Sequence, residues 1–308
     1  MLVTFEGGEG CGKSTQIKLF ERYLKEKNID YILSREPGGT PLCEKIRKLL
    51  LENKEDMSAK TEFLLFSSAR AEHVEKVVKP NLDAGKLVVL DRYYHSSYAY
   101  QGYAGKQNLN ELKAITEFAI SNCKPDLVFL LDISYKDGFE RKSMDENLKN
   151  LDRIESKGKA YHDAVREGYL KLAQEEKERF VVIDATKSVE EISKTIIQEF
   201  EKRFIHKMNI MEEYFNKISS GEKTYEIRLY DEKRKNIKRG DMIIFQCDKR
   251  ETRAYVDNLL IFSTFEEMLN SLPLKKLGFS TKARALKVYN QIYPNKKALK
   301  VLAIKLRK

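Results

Sequence analysis

The residues with the clearest chemical potential are eight consecutive positions near the start of the chain. Residues 7–14 read Gly-Gly-Glu-Gly-Cys-Gly-Lys-Ser and satisfy the pattern G-x-x-x-x-G-K-[ST]. Glycines let backbone N–H groups turn toward phosphate oxygens, Lys13 can reach β- and γ-phosphates, and the Ser14 hydroxyl can hold Mg²⁺. A Gly-rich turn that binds nothing is the alternative, and the apolar run before the loop and the helical pattern after it argue against it. The residues predicted to bind ATP and Mg²⁺ are Gly7, Gly8, Glu9, Gly10, Cys11, Gly12, Lys13, Ser14 and Thr15.

Three further polar segments follow apolar runs or lie on a helical pattern, at residues 35–40, 66–73 and 91–102. In a parallel sheet such segments meet at the carboxyl edge, so each can face the phosphate loop. Asp91 and Arg92 directly follow an apolar strand pattern. An arginine there can bind an acceptor phosphate through two hydrogen bonds, and the aspartate can orient Mg²⁺ or the attacking oxygen. The sequence therefore predicts phosphoryl transfer, with a surface Asp–Arg ion pair as the alternative.

The elements that must position these residues alternate between short strands and longer helices. Strand patterns occur at residues 1–6, 31–34, 86–90, 127–132 and 180–184. Helical patterns occur at residues 14–27, 42–51, 61–79, 109–122, 160–176 and 188–204, and Pro80 is expected to end the third. Alternation of this kind indicates an α/β fold, a P-loop domain of three layers with helices on both faces of a parallel sheet.

The pattern changes after residue 205. A short helix at 210–219, strands at 224–228, 241–247 and 301–306, and a helix at 265–271 indicate a small α+β or barrel-like domain. Residues 1–205 carry 34 basic and 35 acidic side chains, whereas residues 206–308 carry 23 and 12. The predicted domains are therefore 1–205 and 206–308, and the second is suited to an anionic partner such as nucleic acid.

Composition excludes several classes of protein. No apolar run approaches the roughly 18 residues that span a bilayer, so no membrane segment is expected. The first residues lack the basic and small-residue features of a signal peptide. The four cysteines are scattered, with no metal-like pairing, which fits a reducing cytoplasm.

With these motifs in place, residues 1–205 resemble a thymidylate (dTMP) kinase. The resemblance implies phosphorylation of dTMP to dTDP by ATP and Mg²⁺, in dTTP biosynthesis, by a homodimer. It implies that Phe66 stacks on thymine, that Arg70 and Gln101 bind its edge, and that Tyr98 and Tyr100 lie near the sugar and exclude a 2′-hydroxyl. Core packing is the alternative role for Phe66, Tyr98 and Tyr100. The full predicted dTMP set is Glu9, Arg35, Glu36, Phe66, Arg70, Arg92, Ser97, Tyr98, Tyr100 and Gln101, with Arg47 as a further phosphate ligand.

A polar stretch around residues 141–155 corresponds in this family to a lid over ATP. Since the phosphate loop contains no arginine, the resemblance implies that a lid arginine, Arg141 or Arg153, stabilises the transferring phosphoryl group. Residues 142–149 lack the run of arginines that such lids often carry, so which of the two acts stays open. The predicted catalytic residues are Lys13, Asp91, Arg92, Arg141 and Arg153, with Ser14 and Asp91 holding Mg²⁺.

The second domain carries the pattern G-x-K-x-x-E-x-R at residues 221–228. Followed by a basic turn and a Gly-Asp before a strand, this pattern resembles the ASCH domain, a small β-barrel related to the PUA RNA-binding fold. The resemblance implies a cleft for RNA or a nucleotide, formed by Lys223, Thr224, Glu226 and Arg228. Hydrolysis of modified nucleosides by the first three is a weaker interpretation, and a solvated basic surface with a Glu226–Arg228 ion pair is the non-functional one.

Two hypotheses for the whole chain therefore stay open. The first is a dTMP kinase with an accessory module, and its alternative is a deoxynucleoside or other nucleoside monophosphate kinase. The second is an RNA-binding or RNA-modifying protein whose kinase domain is ancillary. The combination of phosphate loop, Asp-Arg pair and lid favours the first.

Overall fold

The structure is a computed structural model that describes residues 1–52, 57–144, 153–294 and 299–308, with the backbone alone at 142–144. Its internal contacts divide the chain into two compact units, Met1–Glu199 and Phe200–Lys308. Each unit is described by itself below. The predicted boundary after residue 205 stays a prediction.

Unit 1 is built on a five-stranded parallel sheet. Its strands are β1 (Leu2–Glu6), β2 (Tyr31–Arg35), β3 (Leu87–Asp91), β4 (Leu127–Asp132) and β5 (Phe180–Asp184). Their order is β2-β3-β1-β4-β5, and every pairing is parallel. The central strand β1 is buried along its whole length, as a strand covered on both faces must be. The predicted α/β fold is confirmed.

The helices of unit 1 connect these strands. They are α1 (Lys13–Glu26), α2 (Pro41–Leu51), α3 (Ala59–His73), α4 (Lys79–Asp83), α5 (Tyr94–Ser97), α6 (Leu109–Ile120), α7 (Tyr135–Met144), α8 (Lys159–Glu175) and α9 (Val189–Phe204), the last of which runs on into unit 2. Local signals fix several starts, because the Thr40 and Ser58 side chains accept hydrogen bonds from Cys43 and Thr61 N–H at the beginnings of α2 and α3.

The expectation that Pro80 ends the third helix is wrong. A π-helical turn at Val74–Val78 follows α3, and the backbone N–H of Lys79 bonds to Val74 O. Helix α4 then continues to Asp83 with Pro80 in its first turn, a position where the missing N–H costs nothing. A second π-helical segment, Tyr98–Ala104, packs against α8 behind the carboxyl edge of the sheet.

Unit 2 contains a mixed sheet that curls into a half-barrel. Its strands are β6 (Ile205–Asn209), β7 (Tyr225–Leu229), β8 (Met242–Cys247), β9 (Arg250–Phe262) and β10 (Val301–Arg307), in the order β6-β8-β9-β10-β7. Within the described part of unit 2, the β6–β8 pair is parallel and the other pairs are antiparallel. Its helices are α10 (Glu212–Ser220), α11 (Phe265–Ser271), α12 (Leu274–Leu277) and α13 (Lys282–Ile292).

Two clusters of buried side chains form the core of unit 2. One contains Ile243 and Phe245 of β8 together with Phe215 of α10. The other contains Ala303 of β10 together with Tyr289 of α13 and side chains of α11 and α12. In the described part of the whole chain, no helix is both long and apolar enough to cross a bilayer.

Candidate functional site

The loop between β1 and α1 is held in its shape by glycine. Gly10 has a φ of +69°, and a Cβ at this position would lie 2.0 Å from the carbonyl oxygen of Gly138. Gly12, with a φ of +88°, immediately precedes the first turn of α1. The unpaired N–H groups and the positive end of the helix dipole therefore face the loop, an arrangement that favours phosphate.

Lys13 folds back onto this loop. Its Nζ donates to the carbonyl oxygens of Gly7 at 3.0 Å and Gly8 at 3.1 Å. The side chain is buried although it carries an ammonium group. Its cation is thus held against the backbone that a nucleotide phosphate would contact.

A broad cavity, here called the phosphate cavity, opens at the loop. Predicted residues that line it are Glu9, Gly10, Cys11, Gly12, Lys13, Ser14, Thr15, Arg35, Glu36, Arg47, Asp91, Arg92 and Arg141. Arg141 also donates a hydrogen bond of 2.7 Å to Ala185 O, which fixes it to the loop after β5.

The phosphate cavity contains donor groups that suit Mg²⁺. Oδ1 of Asp91 is buried and has no hydrogen-bond partner in the described part of the chain, and the Ser14 hydroxyl lines the same cavity. The described residues contain no group of three or more His, Cys, Asp or Glu side chains that could hold a metal ion. Mg²⁺ commonly takes one or two protein oxygens and completes its shell with phosphates and water, so this pair of oxygens fits that ion.

A second cavity of about 170 Å³, here called the acceptor cavity, adjoins the first and shares several side chains with it. Predicted residues that line it are Glu9, Glu36, Arg47, Phe66, Arg70, Arg92, Ser97, Tyr100 and Gln101. The three polar segments predicted to face the loop are therefore brought together.

A hydrogen-bonded cluster of Arg92, Glu9 and Tyr100 lies at the junction of the two cavities. Arg92 Nη2 lies 2.5 Å from Glu9 Oε1, and its Nη1 donates to Gly7 O at 3.0 Å. The Tyr100 hydroxyl donates to the same Glu9 oxygen at 3.0 Å, and burial raises the pKa of this phenol well above its usual value. Arg92 has a φ of +66°, a strained conformation for a residue with a side chain. The surrounding bonds hold that strain and aim the guanidinium at the junction.

A buried carboxylate, that of Glu6, holds in place the segment behind this cluster. Glu6 at the end of β1 is fully buried and accepts hydrogen bonds from the Tyr93 N–H at 2.8 Å, Ser96 Oγ at 2.6 Å and the Tyr169 hydroxyl at 2.9 Å. These bonds fix the segment that carries Arg92. Sequence analysis did not identify Glu6 or Tyr169, because only the fold brings them to this point.

Arg70 presents a free donor to the acceptor cavity. Its side chain is 1% exposed. Nε donates to Glu36 at 2.8 Å, and Nη2 donates to Ser97 Oγ at 3.0 Å. His73 holds the other Glu36 oxygen at 3.1 Å. Nη1 is buried and has no hydrogen-bond partner among the described residues, so this N–H group is left for a ligand.

Gln101 is held by a buried carboxylate. Its Nε2 donates to Glu62 Oε1 at 2.7 Å, and Arg153 Nη2 lies 2.5 Å from the second Glu62 oxygen. Arg153 also donates to Leu50 O at 3.1 Å. Arg153 therefore lies beside the acceptor cavity and, unlike Arg141, is not among the residues that line the phosphate cavity. Residues 145–152, which include most of the predicted lid, lie outside the described residues.

Two other predicted residues fit the cavities less closely. Tyr98 lies outside the cavity walls, and Arg35 lines one cavity but is half exposed and paired with an acidic side chain. Tyr98 is 3% exposed, belongs to the core and packs against Tyr94 at 5.4 Å, so its surroundings favour core packing. Arg35 lines the phosphate cavity but is half exposed and paired with Glu44 at 3.1 Å. Sequence analysis missed Glu155 and Lys187, which line the phosphate cavity and stand in polar segments without a distinctive motif.

Unit 2 has a cavity of its own, of about 190 Å³. Lys223 Nζ lies 3.3 Å from Glu226 Oε2, and Arg228 Nη1 lies 2.5 Å from Glu226 Oε1. Burial lowers the pKa of Lys223, although the adjacent Glu226 opposes this change. The Tyr289 hydroxyl is buried and unpartnered in the described part of unit 2.

The remaining walls of this cavity are mainly aromatic and apolar. Tyr214, Phe279 and Tyr293 line it together with Tyr289. Lys223, Glu226 and Arg228 line this cavity together, whereas Thr224 is not among its lining residues. The Thr224 backbone bonds to Lys276 O and Leu306 N–H instead.

Residues 5–196 match the family model for thymidylate kinase, and residues 208–307 match the model for the ASCH domain. The thymidylate kinase of Fervidobacterium nodosum is 46% identical over 202 residues, which is 65% of this chain and 98% of that protein. The thymidylate kinase of Symbiobacterium thermophilum is 45% identical over 197 residues, covering 64% and 90%.

A solved structure is also similar. The crystal structure of thymidylate kinase from Ehrlichia chaffeensis superimposes with a TM-score of 0.52 at 30% identity. The match covers 65% of this chain and 98% of that one.

Proposed function

Because the chain belongs to the thymidylate kinase family, we propose that unit 1 transfers the γ-phosphoryl group of ATP to dTMP with Mg²⁺ and releases dTDP and ADP. The observation that carries this proposal is the pair formed by Arg70 and Gln101 in a cavity adjoining a phosphate loop. A buried donor and an amide beside Phe66 suit a flat pyrimidine whose edge carries both an acceptor and a donor. Thymine has such an edge in O4 and N3–H.

The acceptor phosphate and sugar have matching partners. Arg92, Arg47 and Arg35 line the phosphate cavity, and the first two also line the acceptor cavity. Guanidinium groups bind phosphate through paired, charge-assisted hydrogen bonds. Glu9 and Tyr100 lie at the same junction, where they would contact the deoxyribose and leave no room for a 2′-hydroxyl.

Transfer would require donor and acceptor phosphates to meet at Arg92. Lys13 and the N–H groups of the loop would hold the β- and γ-phosphates, and Arg141 would stabilise charge on the transferred group. Mg²⁺ held by Ser14 and Asp91 would neutralise charge on the donor phosphates. Asp91 would also accept hydrogen bonds from groups that orient the attacking oxygen.

The direct test is ADP release from ATP and Mg²⁺ with each nucleoside monophosphate in turn. We expect wild type to prefer dTMP and Lys13→Ala to lose turnover. A protein that phosphorylates no monophosphate would contradict the proposal, and the basic C-terminal region would then be the better guide to function.

A different monophosphate acceptor is the second candidate. It is distinguished by replacing Tyr100 with a smaller residue. Under the dTMP proposal this substitution opens space beside the sugar and increases the use of ribonucleotides relative to deoxyribonucleotides. Under the alternative the discrimination stays unchanged.

We also propose a homodimer in the cytoplasm. Phe118 on α6 is 85% exposed, and Ile115 on the same helix and Leu64 on the adjoining helix α3 are also exposed. An apolar face of this kind is suited to a second copy of the chain. Sedimentation of wild type and Phe118→Glu should show a dimer that the substitution weakens. The four cysteines are free, as a reducing compartment requires.

For unit 2 we propose binding of RNA or a nucleotide. Residues 268–308 contain eleven Lys and Arg and no Asp or Glu. The aromatic cavity that holds Tyr289 can accept a base, and the basic segment can contact phosphates. Binding of single-stranded RNA by the full chain should weaken with salt and with Tyr289→Ala. Salt-insensitive or absent binding would contradict the RNA proposal, whereas RNA modification by the chain would support the ancillary-kinase hypothesis.

A further inference from the structure

Glu62 is a buried carboxylate that none of the predicted site roles includes. It lies in the first turns of α3 and is 1% exposed. Its two oxygens have different partners, since Oε1 accepts from Gln101 and Oε2 faces Arg153 at 2.5 Å and Lys157 at 3.8 Å. Buried charges are stable only when they are paired, and Arg153 and Lys157 supply the paired cations.

The charge of Glu62 determines which way the Gln101 amide points. A carboxylate offers only acceptor oxygens, so the NH₂ end of the amide must face it, and Nε2 lies 2.7 Å away. Gln101 lines the acceptor cavity, and its Oε1 forms no hydrogen bond within the described part of the chain. The carbonyl oxygen is therefore the acceptor that the amide leaves for a ligand.

This orientation distinguishes pyrimidines by their chemistry. Thymine and uracil carry a donor, N3–H, beside the acceptor O4, whereas cytosine carries an acceptor, N3, beside a donor amino group. The acceptor of Gln101 and the free Nη1 donor of Arg70 complement the first pattern and oppose the second. A protein amide can adopt either orientation unless a neighbour fixes it.

We propose that Glu62 is a positioning residue that sets the preference for thymine over cytosine by fixing the Gln101 amide. The inference rests on the proposed binding of dTMP in the acceptor cavity. It adds a charged group that touches neither substrate yet determines which base is accepted. Arg153 and Lys157 take part as the cations that pair with Glu62.

The test measures affinity and kcat/KM for dTMP, dUMP and dCMP in wild type and Glu62→Gln. A glutamine at this position can accept from or donate to the Gln101 amide, so the amide is free to turn. We expect the preference for dTMP over dCMP to fall by about tenfold or more, the effect of one misdirected hydrogen bond to a buried group. The ratio of dTMP to dUMP should stay at its wild-type value, because the two bases share the edge that Gln101 contacts.

Two further variants separate this role from a structural one. Gln101→Met should lose the same preference while Glu62 is intact, and adding Glu62→Gln to it should change the dTMP-to-dCMP ratio no further. Glu62→Asp, which keeps the charge, should retain more of the preference than Glu62→Gln. If Glu62→Gln does not fold, the Gln101→Met result decides, and an unchanged preference in that variant overturns the inference.

Equal weakening of all three nucleotides by Glu62→Gln would show a merely structural role and overturn the inference. So would a wild-type protein that binds dCMP as tightly as dTMP. Binding of the nucleotides is measured apart from turnover, so a protein that selects dTMP but does not phosphorylate it would refute the proposed reaction and leave the inference supported.

Discussion

Arg70→Lys is the substitution that most directly tests the geometry of the acceptor cavity. The lysine keeps a positive charge next to the buried Glu36, so the protein should fold. It loses the planar fork through which Arg70 donates to Glu36 and Ser97 while presenting Nη1 to the ligand. Loss of a charge-assisted hydrogen bond costs about 1.5–3 kcal/mol, which corresponds to roughly a 10- to 150-fold decrease in kcat/KM for dTMP.

The matched variant Arg70→Met removes the charge as well. Glu36 is 4% exposed, and among the described residues its side chain would then keep His73 alone as a partner. Removal of one partner of a buried ion pair costs about 3–5 kcal/mol, so this variant should lose stability that Arg70→Lys retains. Steady-state kinetics, dTMP titration and thermal unfolding measure the two effects separately. Arg70→Lys with kcat/KM within threefold of wild type would refute the assignment of Nη1 to the base.

Three more predictions follow from the same structure. Gly10→Ala should lower ATP affinity by about tenfold or more, because Gly10 has a positive φ and its Cβ would lie 2.0 Å from a backbone carbonyl oxygen. Gly8→Ala should lower the affinity less, because a Cβ there would meet no atom within 4 Å. Equal losses in the two variants would count against the packing argument. Arg141→Gln should reduce kcat by about 10³-fold with little change in dTMP affinity, whereas Arg153→Gln should mainly weaken dTMP affinity. Single-turnover rates measure the first effect, and dTMP titrations measure the second. The reverse result would assign the transition-state role to Arg153. Burial lowers the pKa of Lys223, so between this lowered pKa and 10.5 the unfolded chain binds more protons than the folded chain. Denaturant titrations should therefore show the stability of unit 2 rising with pH in this window. Lys223→Met should abolish the rise, and an unchanged rise would assign it to other groups.

The sequence predicts those parts of the fold that depend on local pattern. Strand β4 is a continuous apolar run and α1 follows a glycine loop, so both were located within one or two residues. The strand β9 and the helix α13 were not predicted, because the polar residues of β9 interrupt its alternation and α13 begins with three exposed polar or small residues. The continuation past Pro80 was missed because a π-helical turn leaves no sequence signal comparable to a proline.

The candidate site divides in the same way. Lys13 and Arg92 lie in segments with a recognisable spacing, and their convergence follows from parallel strands ending at one edge. Glu62 and Glu6 have no such spacing, since their importance comes from burial beside polar partners far along the chain. A glutamate side chain is usually solvated, so only the folded structure distinguishes these two from the many exposed glutamates.

The thiol of Cys11 can report how often the phosphate loop opens. It is 1% exposed, and its Sγ lies 3.5 Å from Lys13 Nζ. A thiol buried in this way reacts with an alkylating reagent only during moments when the loop opens, so its rate of modification reports the frequency of opening. In a variant whose other cysteines are replaced by serine, that rate would follow how often the loop opens and how far bound nucleotide suppresses the opening.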